Sequence, residues 1–411
     1  MPTETDFGAL FRLIGSEASV FLPGSVAELP ELSARLFALE GRQIQVHASF
    51  VPGINPMPPA ELPAGLRFFN PFAASRPGMQ AEGHFAQVPT SYFGYANLLA
   101  RYRFDVSIMV VAPPVRGSIA SLGAAVEFSP GAMRHARKKV IVVNHAMPSI
   151  PGASTFDLRD ADLVIETDSP LRVFDAGAPG IEAQAIATGI AAFVEDGSAL
   201  QIGLGKVPDA LMRAVADRRN LRFHSGMLSD GFRDLSEGGA LDPDFITTSC
   251  VHVGSATYYD WLRDRAGIMV GPVSHTHAPA TLAALKRLVA VNGALSVDLF
   301  GQANLEQIGG RAVSGIGGAG DFAVAAARAP DGVSIIGLPA VGPKGQSRIE
   351  PRLEGPVSLP RHDVDVIVTE HGTADLRGLD VMTRAERIIA IAAPEHRALL
   401  NEAWRKIAAR L

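Results

Sequence analysis

Two glycine-bearing turns carry the densest chemical signal in this chain of 411 residues. In Leu200-Gln-Ile-Gly-Leu-Gly-Lys-Val-Pro-Asp-Ala-Leu211 an apolar run enters a turn at Gly203 and Gly205, and a helical pattern follows at once. Glycines let a backbone approach a ligand closely, and the free N–H groups of a helix start attract a phosphate or an oxyanion. Lys206 adds a full positive charge. Strand-glycine-helix turns are common in α/β proteins, so this one needs context to count as a ligand site. The second turn, Val313-Ser-Gly-Ile-Gly-Gly-Ala-Gly-Asp-Phe322, concentrates glycines that each cost roughly 0.5–1 kcal/mol in chain entropy. It reads either as a nest for an anion or as a flexible surface turn. A dinucleotide fingerprint is not expected here, because no strand immediately precedes it and no clear helix opens on its last glycine. A third segment, Phe223-His-Ser-Gly-Met-Leu-Ser-Asp-Gly-Phe232, mixes polar and apolar residues without a period, as a loop at a strand end does. Asp230 is there a cap or turn residue, or else an acid/base group.

Other chemistries find less support. His275 and His277 form a His-x-His pair that zinc can use on a strand, but the nearest acids in sequence, Asp264 and Asp298, are far from it. The pair reads as two polar residues in a loop before Pro279, and no metal is expected. The remaining histidines, including His145, His252, His362 and His371, are scattered. No Gly-x-Ser-x-Gly elbow occurs. The single cysteine, Cys250, rules out internal disulfides and cysteine metal clusters, and its flanks read as a buried strand 245–251 in which it is an inert, packed thiol or else a reactive one. A net charge of -5 and a pI near 6.1 give no reason to expect nucleic acid or an acidic membrane as partner. The N-terminus has acidic residues and no apolar core of a signal peptide, and no apolar run approaches the ~20 residues of a membrane span. A cytoplasmic protein is expected.

The elements that must position these turns alternate between short apolar runs and helical patterns, as in parallel α/β sheets. Buried strands are expected at 106–112, 139–144, 163–166, 200–204, 288–292, 333–337 and 364–369. An amphipathic helix is expected over 208–219, with Ala210, Leu211, Ala214 and Val215 on one face. Another is expected from Met382, broken at Pro394 and resumed through Leu399, Leu400 and Trp404. Residues 51–60, rich in proline, are a loop. Hydrophobic residues make up 47% of the chain, enough for two α/β domains of about 200 residues each. Turn chemistry over 168–182 places the boundary there, giving domains 1–178 and 179–411.

The order of these pieces resembles the acetyl-CoA hydrolase/transferase family over nearly the whole chain. In the N-terminal half the resemblance is carried by Phe21-Leu-Pro-Gly-Ser-Val-Ala-Glu-Leu-Pro30, Glu82-Gly83, Asp105-Val-Ser-Ile-Met109 with Pro113-Pro114, and Val143-Asn-His-Ala-Met-Pro148. The C-terminal half adds Leu200 to Gly205, His224 to Gly231, Val297-Asp-Leu-Phe-Gly-Gln302 and Ser314 to Phe322. It also adds Ser347-Arg348-Ile349 and Val368-Thr-Glu-His-Gly-Thr-Ala-Asp-Leu-Arg-Gly378. The resemblance implies an α/β fold with two open domains of the CoA-transferase (NagB/RpiA-like) type. It implies an acyl-CoA:carboxylate CoA-transferase for short-chain acyl groups of the acetyl or 4-hydroxybutyryl type, with coenzyme A as substrate and no further cofactor. A glutamate carboxylate would form a mixed anhydride and then a glutamyl-CoA thioester. Gly203, Leu204, Gly205, Lys206 and Val207 would hold CoA, as would Gly315, Gly317 and Gly318, with Lys344 as a looser candidate. Small carboxylates are the other implied partners, and a homodimer the implied assembly.

One departure bears on all of this. The family's nucleophile sits in His-Thr-Glu-Met, and this chain reads His224-Ser225-Gly226-Met227. Glycine cannot form an anhydride. Three explanations follow: another carboxylate substitutes, water attacks directly and the protein is a thioester hydrolase, or CoA esters bind without turnover. Glu82 is the first choice of substitute, with Asp230, Glu28 and Glu237 also near the motifs; Glu82 otherwise is a charge holding a turn beside Gly83. Sugar-phosphate isomerase chemistry is a remaining alternative, since related folds support it.

Overall fold

The computed structural model describes residues 7–59, 61–74 and 76–411. The first six residues, which carry part of the signal-peptide argument, and Ala60 of the proline-rich loop lie outside them. The chain divides into two compact units. The first comprises the chain up to Asp175 with Gly226–Asp230 and Ile246–Ala278, and the second comprises Ala176–Ser225, Gly231–Phe245 and Pro279–Leu411. Among the described residues no helix is long and apolar enough to cross a membrane.

In the first unit a seven-stranded sheet runs in the order Phe85–Gln87, Leu66–Asn70, Gln43–His47, Glu17–Phe21, Val106–Val111, Lys138–Asn144, Leu163–Thr167, and every pairing is parallel. Both faces of such a sheet are covered, which is why all six residues of Val106–Val111 are buried apolar or small side chains. The chain starts on the central strand Glu17–Phe21, adds three strands on one side, then returns to add three on the other. The order therefore reverses between Glu17–Phe21 and Val106–Val111. In open α/β sheets ligands bind beyond the carboxyl ends of the strands at such a reversal.

The second unit repeats the logic. Its sheet runs Arg222–Phe223, Ala199–Gln201, Leu288–Gly293, Val333–Gly337, Val366–Thr369, and ends in an antiparallel edge strand, Gly372–Asp375. Here the reversal falls between Ala199–Gln201 and Leu288–Gly293. The side-chain amides of Gln201 and Asn292 face each other there at 3.3 and 3.4 Å.

The expected strands from residue 106 onward are all present, with two shifts. The run expected at 200–204 stops at Gln201, because the Ser225 hydroxyl bonds both the N–H and the carbonyl of Ile202 and bends the chain out of the ladder. The run 245–251 is interrupted at Cys250, leaving Thr247–Ser249 and Val251–His252. The helix expected over 208–219 begins at Lys206 and ends at Ala214. The C-terminal pair is Val381–Ala390 and Pro394–Ala408, with Pro394 opening the second helix, where its missing N–H is harmless. Leu400 and Trp404 are buried, whereas Leu399 is exposed. Of the His275–His277 pair, His275 is helical, whereas His277 lies in the turn before Pro279 as expected. Residues Val273–Thr276 form a helical turn, and His277 is buried with Nδ1 2.8 Å from the Thr276 hydroxyl.

Candidate functional site

In the second unit the first glycine turn sits at the strand reversal. Gly205 precedes the helix Lys206–Ala214 with φ 124°, a conformation closed to other residues. Gly203, Leu204, Lys206 and Val207 flank it. The second turn departs from expectation: a two-residue strand, Arg311–Ala312, precedes it, and a helix opens inside it at Ala319, capped by Gly318. Gly317 is left-handed, and Gly315 lies upstream. Lys344 lines a separate cavity of about 600 Å³ together with Arg348, Asn304, Gln346, Glu350 and Glu354, and the two glycine turns are not part of its wall.

The sequence-nominated carboxylates are engaged elsewhere. Glu82 is exposed and pairs in two-pronged fashion with Arg76 of its own loop, at 2.8 and 2.5 Å. Asp230 opens the helix Asp230–Glu237 and accepts from the Ser255 N–H at 2.9 Å and its hydroxyl at 2.5 Å. That clamps Ser255, which in turn caps the helix Ala256–Leu262. Glu237 is exposed at the far end of the Asp230–Glu237 helix. Glu28 is 1% exposed and accepts from Arg172 Nε at 2.6 Å.

A different carboxylate occupies the heart of the first unit. Beyond the strand Glu17–Phe21 the chain turns through Gly24, where a Cβ would stand 1.9 Å from the Ser49 carbonyl oxygen, and then through Ser25. Ser25 is fully buried and left-handed, with φ 48°. Asn55 holds it there: its Oδ1 accepts from Ser25 N at 2.9 Å and from Val51 N at 3.0 Å, and its Nδ2 donates to the Ser25 carbonyl at 2.8 Å. The Ser25 hydroxyl donates to Glu127 Oε1 at 2.9 Å. Glu127 is itself left-handed (φ 39°) and 4% exposed. Its N–H donates to the Cys250 carbonyl at 3.3 Å. Cys250 reaches on to Gly226, whose carbonyl accepts from Cys250 N at 3.2 Å, from its thiol at 3.0 Å and from Val251 N at 3.2 Å.

Burial pushes the Glu127 carboxyl up to about 8, opposed in part by the Ser25 hydrogen bond. Burial and the nearby Glu127 charge both push the Tyr92 phenol and the Cys250 thiol up, so Cys250 is no thiolate at neutral pH. The segment around Ser25 was visible in sequence only as part of a motif. Glu127 was missed; its signal is a lone acid in the apolar run Ala124-Ala125-Val126-Glu127-Phe128. Asn55→Ala should cost about 1–3 kcal/mol, because the buried Ser25 N–H and the half-buried Val51 N–H lose their acceptor. A lowered urea midpoint with unchanged slope would show it.

The second unit thus sets a glycine turn at its strand reversal, and the first holds a buried carboxylate beside a strained serine, each on an α/β sheet. Comparison with known proteins narrows the class. The model of the acetyl-CoA hydrolase/transferase C-terminal domain matches residues 254–404. The 4-hydroxybutyrate coenzyme A transferase of Clostridium kluyveri is 31% identical over 76% of this chain and 76% of its own length. Acetyl-CoA hydrolase of Candida albicans is 32% identical over 49% of this chain and 40% of its own. Among solved structures, RipA from Yersinia pestis is similar with a TM-score of 0.85 and 28% identity, covering 96% of this chain and 95% of that one. The chain belongs to the acetyl-CoA hydrolase/transferase family. It is accordingly an enzyme of the transferase class, with hydrolysis as the alternative activity.

Proposed function

We propose that the protein is an acyl-CoA:carboxylate CoA-transferase for short-chain acyl groups, working by a ping-pong route. The observation that carries this reading is the extent of the matches: the transferase relative aligns over 76% of the chain, against 49% for the hydrolase. In this reading Gly203, Leu204, Gly205, Lys206 and Val207 hold CoA, as do Gly315, Gly317 and Gly318, and Lys344 contributes a positive charge. The φ of 124° at Gly205 supports that role, since it leads straight into a helix whose first N–H groups have no intrahelical acceptor. Backbone N–H groups so placed stabilise the oxyanion of a tetrahedral intermediate.

The transfer itself needs an enzyme carboxylate. It attacks the thioester and releases CoA thiolate, the thiolate attacks the resulting anhydride, and the acceptor acid reverses the sequence. Mixing the purified protein with acetyl-CoA, with and without a second carboxylate such as butyrate, tests the activity. Formation of the second acyl-CoA only when acceptor is present is the expected result. Thiol release at the same rate without acceptor would establish a hydrolase instead.

A further inference from the structure

We propose that Glu127 is the nucleophilic carboxylate of this enzyme, carried on a segment that Cys250 ties to Gly226. The proposal rests on the CoA-transferase reading and names the residue that reading lacks.

Three independent features of the structure converge on it. The first is connectivity. Cys250 is bonded through its carbonyl to the Glu127 backbone and through its N–H and thiol to the Gly226 carbonyl. One residue, Cys250, therefore bridges the carboxylate-bearing segment and Gly226, which has no side chain.

The second is strain. Among the described residues six non-glycine residues are left-handed: Ser25, Glu127, Asn220, Asp264, Arg287 and Asp331. Among these only Ser25 and Glu127 are buried, and they are hydrogen-bonded to each other. Left-handed residues on exposed turns are ordinary. Two in contact in a core store strain that a fold does not need, and such strain gathers at active sites.

The third is how little holds the carboxylate. Glu28 and Asp298 are held by more than one hydroxyl, although Glu28 Oε1 also lacks a partner. Glu28 has the Arg172 guanidinium. Asp298 accepts from the Phe300, Gln302 and Leu353 N–H groups and from the Gln302 amide. Glu127 has one hydroxyl on Oε1, from Ser25, and among the described residues no hydrogen-bond donor on Oε2. An ionised acid kept for structure would call for a cation or several N–H groups. A nucleophile calls for one oriented oxygen and one left open. The position fits as well: Ser25 follows the carboxyl end of Glu17–Phe21, at the strand reversal of its sheet.

The chemistry balances without any further reagent. The proton that burial keeps on the carboxyl leaves to solvent. Oε2 attacks the acyl carbonyl carbon, the new C–O bond forms as the C–S bond breaks, and CoA departs as thiolate. The thiolate then attacks Cδ of Glu127, releasing the first acid as its carboxylate and leaving a Glu127–CoA thioester. The acceptor carboxylate attacks that Cδ, and the two steps run in reverse. Ser25, donating to Oε1, positions the carboxylate and stabilises the oxyanion that forms on Cδ.

Borohydride reduction of the protein after mixing with acetyl-CoA converts a glutamyl thioester to an alcohol, and peptide mapping locates it. The expected label is on Glu127. Glu127→Gln should retain CoA binding by calorimetry yet lose acyl exchange by about 10³-fold or more, while Glu127→Asp recovers a measurable part. Exchange undiminished in Glu127→Gln, or a label on another glutamate, overturns the assignment and leaves the transferase reading standing. Absence of exchange in the wild type overturns both.

Discussion

Arg172→Met should lower the unfolding free energy by about 3–5 kcal/mol, because it leaves the Glu28 carboxylate buried without its cation. The Glu28 side chain has no solvent exposure, whereas that of Arg172 retains 24%. The guanidinium approaches Glu28 Oε2 from Nε at 2.6 Å and from Nη2 at 2.5 Å, while Oε1 is buried with no partner. The pair is thus already short of donors, and its remaining attraction offsets a desolvation cost that falls on the glutamate. Removing both charges should be far milder than removing one. Glu28→Gln combined with Arg172→Met is expected to recover most of the loss, and urea midpoints of the four proteins of this cycle give the coupling. Equal losses in the single and double variants would mean that Arg172 acts through packing alone. The carbonyl of Arg172 also accepts from the Tyr259 hydroxyl at 2.5 Å, a bond that either substitution leaves in place.

The fold was legible wherever a strand is buried on both faces. Runs such as Val106–Val111 and Val333–Gly337 are continuous in apolar or small residues, and sequence placed them within a residue or two. The first four strands of the central sheet were not singled out, for a physical reason. Gln43–His47 alternates exposed and buried residues, and Leu66–Asn70 carries Arg67 on its open side, so neither presents an unbroken apolar run. Helix starts at the glycine turns were read from their residue types, and the one opening at Ala319 was missed because alanine and glycine give little periodicity. His275 was misplaced because a single helical turn has no period to detect.

The candidate site was legible in part. Glycine turns announce themselves, and the absence of a carboxylate at Gly226 was plain in the sequence. Glu127, the substitute proposed here, was not, since proximity in sequence points to Glu82 and Asp230, whereas the fold brings Glu127 to Cys250 across 123 positions. A buried acid is recognised by its surroundings, and those are assembled from four separate segments around residues 25, 55, 127 and 250.

Glu127→Gln should be more stable than the wild type at alkaline pH and about equally stable near pH 5. The Glu127 carboxyl rises from 4.5 to about 8 on folding. Between those values the native state holds a proton that the unfolded chain has released. Stability from this group is therefore fully present below about 4.5, falls as pH rises, and is gone above about 8. Each pH unit in that window is worth ~1.4 kcal/mol at most, and relaxation around the charge reduces it, so a total on the order of 2–5 kcal/mol is expected. Buried His47 and His252, lowered to about 4 and 3, act oppositely and favour the native state as pH rises towards 6.5. They are common to both proteins and cancel in the difference, so urea midpoints of the two at pH 5, 7 and 9 isolate Glu127. Parallel curves would mean that the carboxyl ionises freely in the native state. Diverging curves, together with lost exchange, separate a catalytic carboxylate from a structural one. Replacing a structural acid weakens a fold, whereas replacing this one should strengthen it while removing the activity, the trade expected where strain and burial are kept for chemistry.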